Sequence, residues 1–126
     1  MNLRRMDSLF PSHDQDSLLM SIDPDRLFSE LEKAAEERAD AEEKAHKLDR
    51  LGEILLADLV LKAKRAGHPI SLCKDVAKAS PEWKVHIEGE SVALGDRSRK
   101  RARYENLRIL WEARRTLEVT TRSLAR

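Results

Sequence analysis

From Pro24 to Ala66 the chain meets no further proline and a single glycine, Gly52, and from Pro81 to Leu124 it meets no further proline. Runs this long without a strong breaker leave few options other than helix. At about 1.5 Å per residue, the first run would be a rod on the order of 60 Å. Its start is well marked. Asp23 suits the N-cap, Pro24 suits the first helical position, and Ile22 can staple onto Leu27. The tetrapeptide AGHP, residues 66–69, marks its end.

Composition supports the same reading. Charged residues make up 37% and aromatics 4%, with four Gly and four Pro, which is the mixture of long helices rather than of a sheet. In the first run Leu31, Ala34, Ala41, Ala45, Leu48, Leu55 and Leu59 follow a three-four spacing, interrupted by Arg38 and Gly52. The segment ISLCKDVAKAS reads as a short helix capped by Ser71, and SPEWK starts another with Ser80 as N-cap and Pro81 first in the helix. Gly89 and Gly95 are expected to kink or break this last helix. Short connections favour antiparallel neighbours. The expected fold is therefore all-α: a long antiparallel helical hairpin, coiled-coil-like, with a short corner helix. Residues 1–22 read as a flexible arm and residues 23–126 as the hairpin domain. A narrow seam would leave apolar edges at Leu56 and Trp111, which predicts a homo-oligomer.

The net charge of +1 conceals an asymmetry. Residues 23–46 hold nine acids against four bases, a local charge of −5, whereas residues 97–126 hold ten Lys or Arg against three Glu, a local charge of +7. This points to internal pairing or to a polyanionic partner. With Leu107, Leu110, Leu117 and Leu124 as a seam, and Arg114 and Thr121 filling its other places, Arg101, Arg108, Arg115 and Arg122 form a row beside it. That row is a ridge of roughly 30 Å. Arg97 and Arg126 extend it, Lys100 and Arg103 thicken its start, and Tyr104 and Trp111 lie along one edge. Guanidinium groups grip phosphates and aromatic rings stack bases, so the nine candidate nucleic-acid contacts are Arg97, Lys100, Arg101, Arg103, Tyr104, Arg108, Trp111, Arg115 and Arg122. The hairpin would also bring Lys47 and Arg50 to the start of the ridge. The competing reading is a solvated or partner-binding face, because Arg101–Glu105, Arg108–Glu112 and Glu118–Arg122 are helical i,i+4 pairs.

Other chemistry has little support in the sequence. There is no glycine-rich phosphate loop, nucleophile elbow or zincin helix, so no enzyme and no cofactor are expected. His68, Cys73 and His86 match no common zinc spacing. The segment SLCKDVAKASPEW resembles part of a helix-turn-helix, but its turn carries Pro81 and no glycine. Cys73 is the only cysteine, and no run approaches a membrane span, which favours a cytoplasmic setting without membrane contact. In the arm, Ser8, Leu9 and Phe10 look like the end of the motif by which bacterial proteins dock on the replication sliding clamp. Met6 stands where that motif prefers Gln, and a small apolar anchor folding back on the hairpin is the alternative.

The stretch from ASPEWKVHIEGE through RYENLRILWEARRTLEVTTRSLAR is similar in texture to small helical proteins of bacteriophage and prophage genomes. The resemblance covers about the last 45 residues. It highlights Pro81, Trp83, Tyr104, Leu107, Trp111, Arg114 and Arg115, and implies an accessory role near DNA. Two functions are expected from the residues and this resemblance together: a non-enzymatic accessory protein that binds nucleic-acid backbone, in phage-type replication or recombination, or an oligomeric coiled-coil scaffold or adaptor that binds another protein.

Overall fold

The computed structural model describes residues 12–125 and, among them, every regular element is an α-helix. Helix α1 spans Ser12–Ser21, α2 Pro24–Arg65, α3 Ile70–Lys78 and α4 Pro81–Ala125. The long helices α2 and α4 pack against each other as an all-α helical hairpin. Part of the segment read as an arm is thus helical. Residues 1–11, with the Ser8–Leu9–Phe10 segment, lie outside the described residues, as does Arg126.

The helix boundaries follow local chemistry. Asp23 Oδ1 accepts the Asp25 backbone N–H at 3.1 Å, which satisfies one of the free donors of the α2 N-terminus. At the other end Gly67 adopts φ 91°, a left-handed conformation that costs glycine little. Its N–H donates to the Lys64 carbonyl at 3.1 Å, and that of His68 to the Ala63 carbonyl at 3.2 Å. This pair of bonds is the Schellman termination. Lys62, Lys64 and Arg65 in the last turn complement the helix dipole.

Helix α3 starts two residues earlier than its sequence implied. Pro69, with ψ 143°, occupies the N-cap without a side-chain bond, and Ser71 lies inside the helix. Proline fixes φ near the helical value and lacks an N–H to satisfy, so it displaces the hydroxyl cap. Ser80 does cap α4: its Oγ accepts the Trp83 N–H at 3.3 Å and donates to the Ala77 carbonyl at 2.7 Å, tying the end of α3 to the start of α4. Helix α4 continues through Gly89 and Gly95 without a break. A glycine in a helix interior costs only about 1 kcal/mol, which 45 residues of helix and its packing outweigh.

The hairpin divides into two compact units. The corner unit comprises Glu37–Arg101, and the terminal unit comprises the described residues up to Glu36 with those from Ala102 onward. In the corner unit, α2 buries Ala41, Ala45, Leu59 and Ala63, with Gly52 among them. Opposite them α4 brings in Trp83, His86, Glu90, Ala93, Arg97 and Lys100, of which Ala93 is buried and the rest half-buried. In the terminal unit, Leu27 and Ala34 of α2 are buried and Arg114 is the buried residue of α4, beside half-buried Tyr104, Leu107, Trp111 and Leu117.

The inward row of α4 therefore differs from the one its leucines implied. Leu110, Thr121 and Leu124 are exposed and Tyr104 and Trp111 turn inward, while Leu107, Arg114 and Leu117 lie inward as the spacing placed them. Alanine and glycine on α2 leave a shallow seam, and long polar side chains of α4 fill it, Lys100 with its head still part-exposed but Arg114 buried and Arg97 Nε and His86 Nε2 shut off from solvent. Such a core is thin. At about 0.8 kcal/mol per buried CH₂, an alanine-lined seam contributes far less than a leucine-lined one. Apolar side chains remain outside it, among them Ile70, Val85, Val92 and Ile109, whereas Leu56 and Trp111 are half-buried.

Candidate functional site

The ridge begins in the corner unit. Lys100 Nζ lies 3.3 Å from Glu37 Oε2, and Arg101 Nε bonds Glu42 Oε1. The hydrogen bond from Arg101 holds the Glu42 carboxyl below its ordinary value, helped by the charges of Arg101, Arg97 and Arg38; the same bond raises Arg101. The start of the ridge thus faces the acidic stretch of α2, and Lys47 and Arg50 are not the residues it meets. The reason is register, since opposed positions descend along α2 as they ascend along α4. Arg97 is half-buried with its Nε unpartnered, on a hollow of about 510 Å³ shared with Glu42, Glu43, His46, Asp49 and Glu90. A phosphate there would meet mostly carboxylates.

In the terminal unit the pairing continues. Arg103 donates to Glu30 at 3.0 Å across the helices. Arg108 is clamped on its own helix by Glu105 at 2.8 Å and Glu112 at 3.4 Å, and the Glu105 bond raises its pKa. Trp111 packs on Phe28 with ring centroids 5.3 Å apart, so this ring is used between helices rather than held out for a base. Tyr104 is half-buried on the same row. Arg115 and Arg122 are exposed and, among the described residues, form no ion pair. The nine candidates therefore do not make one cationic face: four cations are paired with carboxylates, Arg97 faces into an acidic hollow, both aromatics are half-buried, and Arg115 and Arg122 stand outward.

Sequence reasoning passed over Arg114 as a gap-filler. Among the described residues it is the one buried charged residue, 7% exposed, and its Nε donates to the Ile22 carbonyl at 2.9 Å while Nη1 bonds Glu118. It also passed over the corner. Residues 62–84 carry six Lys or Arg against two acids, a local charge of +4 with His68 neutral, and none of these cations forms an ion pair among the described residues. That density was countable, but it is spread over three helices and shows no periodicity within one.

His86 anchors the corner unit. Its side chain is 9% exposed, it packs against Trp83, and a Cβ at Gly52 would collide with its Nε2. The nitrogen lies 3.1 Å from Glu90 Oε2, but the two are not aligned as a hydrogen bond. Cys73 is buried with its thiol donating to the Pro69 carbonyl at 3.3 Å. Among the described residues no group of three His, Cys, Asp or Glu is placed to hold a metal ion, and no described helix is long and apolar enough to cross a membrane. Compared with family models, with curated proteins and with solved structures, the chain finds no match.

Proposed function

We propose that this chain is a non-catalytic helical adaptor or scaffold that works through contacts with protein, including further copies of itself. One observation carries the reading. The dense start of the arginine ridge is consumed inside the hairpin, where Lys100 and Arg101 pair with Glu37 and Glu42 in one unit and Arg103 pairs with Glu30 in the other. The charge asymmetry of the sequence is then largely an internal device that sets which part of α4 faces which part of α2. Apolar side chains left outside the thin core, such as Val85, Val92 and Ile109, supply the surface for association. A cytoplasmic setting belongs to this reading, because the lone thiol needs no oxidising compartment.

Sedimentation velocity at low and high salt tests the proposal, with a monomer at every concentration counting against self-association. A second reading, binding to nucleic-acid backbone, is favoured by Arg115 and Arg122, which stand exposed and seven residues apart without carboxylate partners among the described residues. It is the reading to which the resemblance to phage helical proteins would attach. Fluorescence anisotropy with short oligonucleotides separates the two: tight, salt-sensitive binding by a monomer would replace the adaptor reading with this one.

A further inference from the structure

The strongest unassigned surface is the corner. We infer that it docks an acidic, amphipathic segment of a partner protein, one apolar side chain entering a hollow and flanking carboxylates meeting the lysines around it. This rests on the adaptor reading and names the chemistry of the partner that reading requires.

The hollow lies between the end of α2, helix α3 and the start of α4. Leu59, Ala63, Val76, Ala77 and Pro81 give it apolar walls, and its volume is about 300 Å³. That is roughly twice the 150 Å³ of a cavity that accepts benzene, so it has room for a leucine or an aromatic side chain. Elsewhere in the corner apolar side chains stand outward, with Ile70 81% exposed and Leu61 and Leu72 about half exposed.

Charge selects the occupant. Lys62 and Glu82 line the hollow itself, Lys64 and Arg65 follow Lys62 on α2, and Lys74 and Lys78 are i,i+4 neighbours on α3, so the cationic excess of the corner lies in the residues around the hollow rather than in its lining. None of these cations is neutralised by a carboxylate among the described residues, in contrast with Lys100, Arg101, Arg103 and Arg108. An acidic peptide gains on-rate and orientation from such a rim, while the apolar anchor supplies the affinity. Nucleic acid fits less well, because the one Phe, Tyr or Trp of residues 62–84, Trp83, is half-buried and already packed with His86. A bilayer surface would bridge the concave hollow rather than fill it.

The test uses the full chain and a labelled synthetic helical peptide with Leu at every third or fourth position and Glu elsewhere. Anisotropy should show saturable binding that weakens from about 50 to about 300 mM salt as the lysine rim is screened. A peptide with Leu replaced by Ser should bind about tenfold more weakly or worse, since a lost anchor costs at least that factor. The variant Lys62→Glu/Lys74→Glu/Lys78→Glu changes surface positions only, so helicity by circular dichroism should hold while binding is lost. A second variant, Ala66→Trp, fills the hollow from an exposed position and should abolish the preference for Leu over Ser. Equal binding of the two peptides, no binding of either, or unchanged binding by the charge-reversed variant overturns the assignment. So does stronger binding of a single-stranded oligonucleotide or a phosphatidylserine vesicle to the same lysines. Sedimentation of both variants is read alongside: self-association that persists when the peptide fails to bind leaves the adaptor reading standing and removes only the corner site.

Discussion

Arg114, on α4, donates from Nε to the backbone carbonyl of Ile22, 92 residues earlier, at the joint between α1 and α2. A buried guanidinium requires partners, and here the carbonyl at the joint between two helices supplies one and Glu118 the other. The contact fixes how the short first helix is carried by the terminal unit. It also explains why a charged residue occupies a place where the leucine spacing of α4 called for an apolar one.

Replacing Arg114 with Ala should therefore cost about 1–3 kcal/mol, because it leaves the Ile22 carbonyl and the Glu118 carboxylate without their donor. Arg114→Lys should recover only part of this, since an ammonium cannot reproduce two separated N–H groups of a planar fork. Thermal unfolding measures the loss. Hydrogen exchange should place it at Ser12–Ser21 and the first turn of α2, while the corner unit keeps its protection. A loss spread evenly over both units would show that Arg114 acts through the whole hairpin instead.

Gly52 and His86 make a sharper case. Gly→Ala inside a helix normally stabilises by about 1 kcal/mol. At Gly52 the new methyl would strike the His86 imidazole, whose side chain is 9% exposed and packs against Trp83, so overpacking of about 1–3 kcal/mol should turn the gain into a loss. Gly52→Ala/His86→Ala removes the clash, and the double-mutant cycle should show strong positive coupling. Additive effects in denaturant melts would mean the imidazole simply swings away.

What could be read from the sequence was local. Asp23 and Pro24, Ser80 and Pro81, and the glycine after α2 act within a turn of themselves, so their chemistry is visible in a few neighbouring letters. The inward row of α4 was not visible in this way. It depends on the alanines and Gly52 of α2, which make a seam shallow enough for His86, Arg97 and Lys100 to enter. The fate of the ridge was hidden for the same reason: Arg101 and Glu42 are 59 residues apart in the chain, and only hairpin register brings them together. Internal pairing stood among the alternatives implied by the charge asymmetry, but which arginines it would consume could not be counted from spacing.

The Arg101–Glu42 pair gives a pH signature. Glu42 is held below its ordinary pKa in the folded chain, so its contribution to stability is present above the unfolded value near 4.5 and disappears as pH falls through the lower folded value. Glu42→Gln should flatten the acid limb of a plot of melting temperature against pH by lowering the neutral-pH plateau, slightly because the pair is exposed, while the acid end stays where it was. High salt should produce the same flattening in the unaltered chain. An acid limb unaffected by the substitution would assign acid sensitivity to other carboxylates, Glu30 and Glu37 first.

The charge count on the ridge also fixes how nucleic acid would be bound if it were bound at all. A ridge using Arg97, Arg101, Arg108, Arg115 and Arg122 on five phosphates should give a plot of log affinity against log salt with a slope of about −4.5 on duplex DNA. With Arg101 and Arg108 held by carboxylates and Arg97 facing acids, Arg115 and Arg122 alone would give a slope of about −1.8. Affinity with so few contacts would be weak at physiological salt. Arg115→Ala/Arg122→Ala should then erase whatever binding remains, and Arg101→Ala/Arg108→Ala should leave it intact while weakening the fold. A steep slope that survives loss of Arg115 and Arg122 would mean that the glutamates release their arginines to phosphate. The pairing seen across the hairpin would in that case be the resting state of a nucleic-acid grip, and the adaptor reading would give way to it.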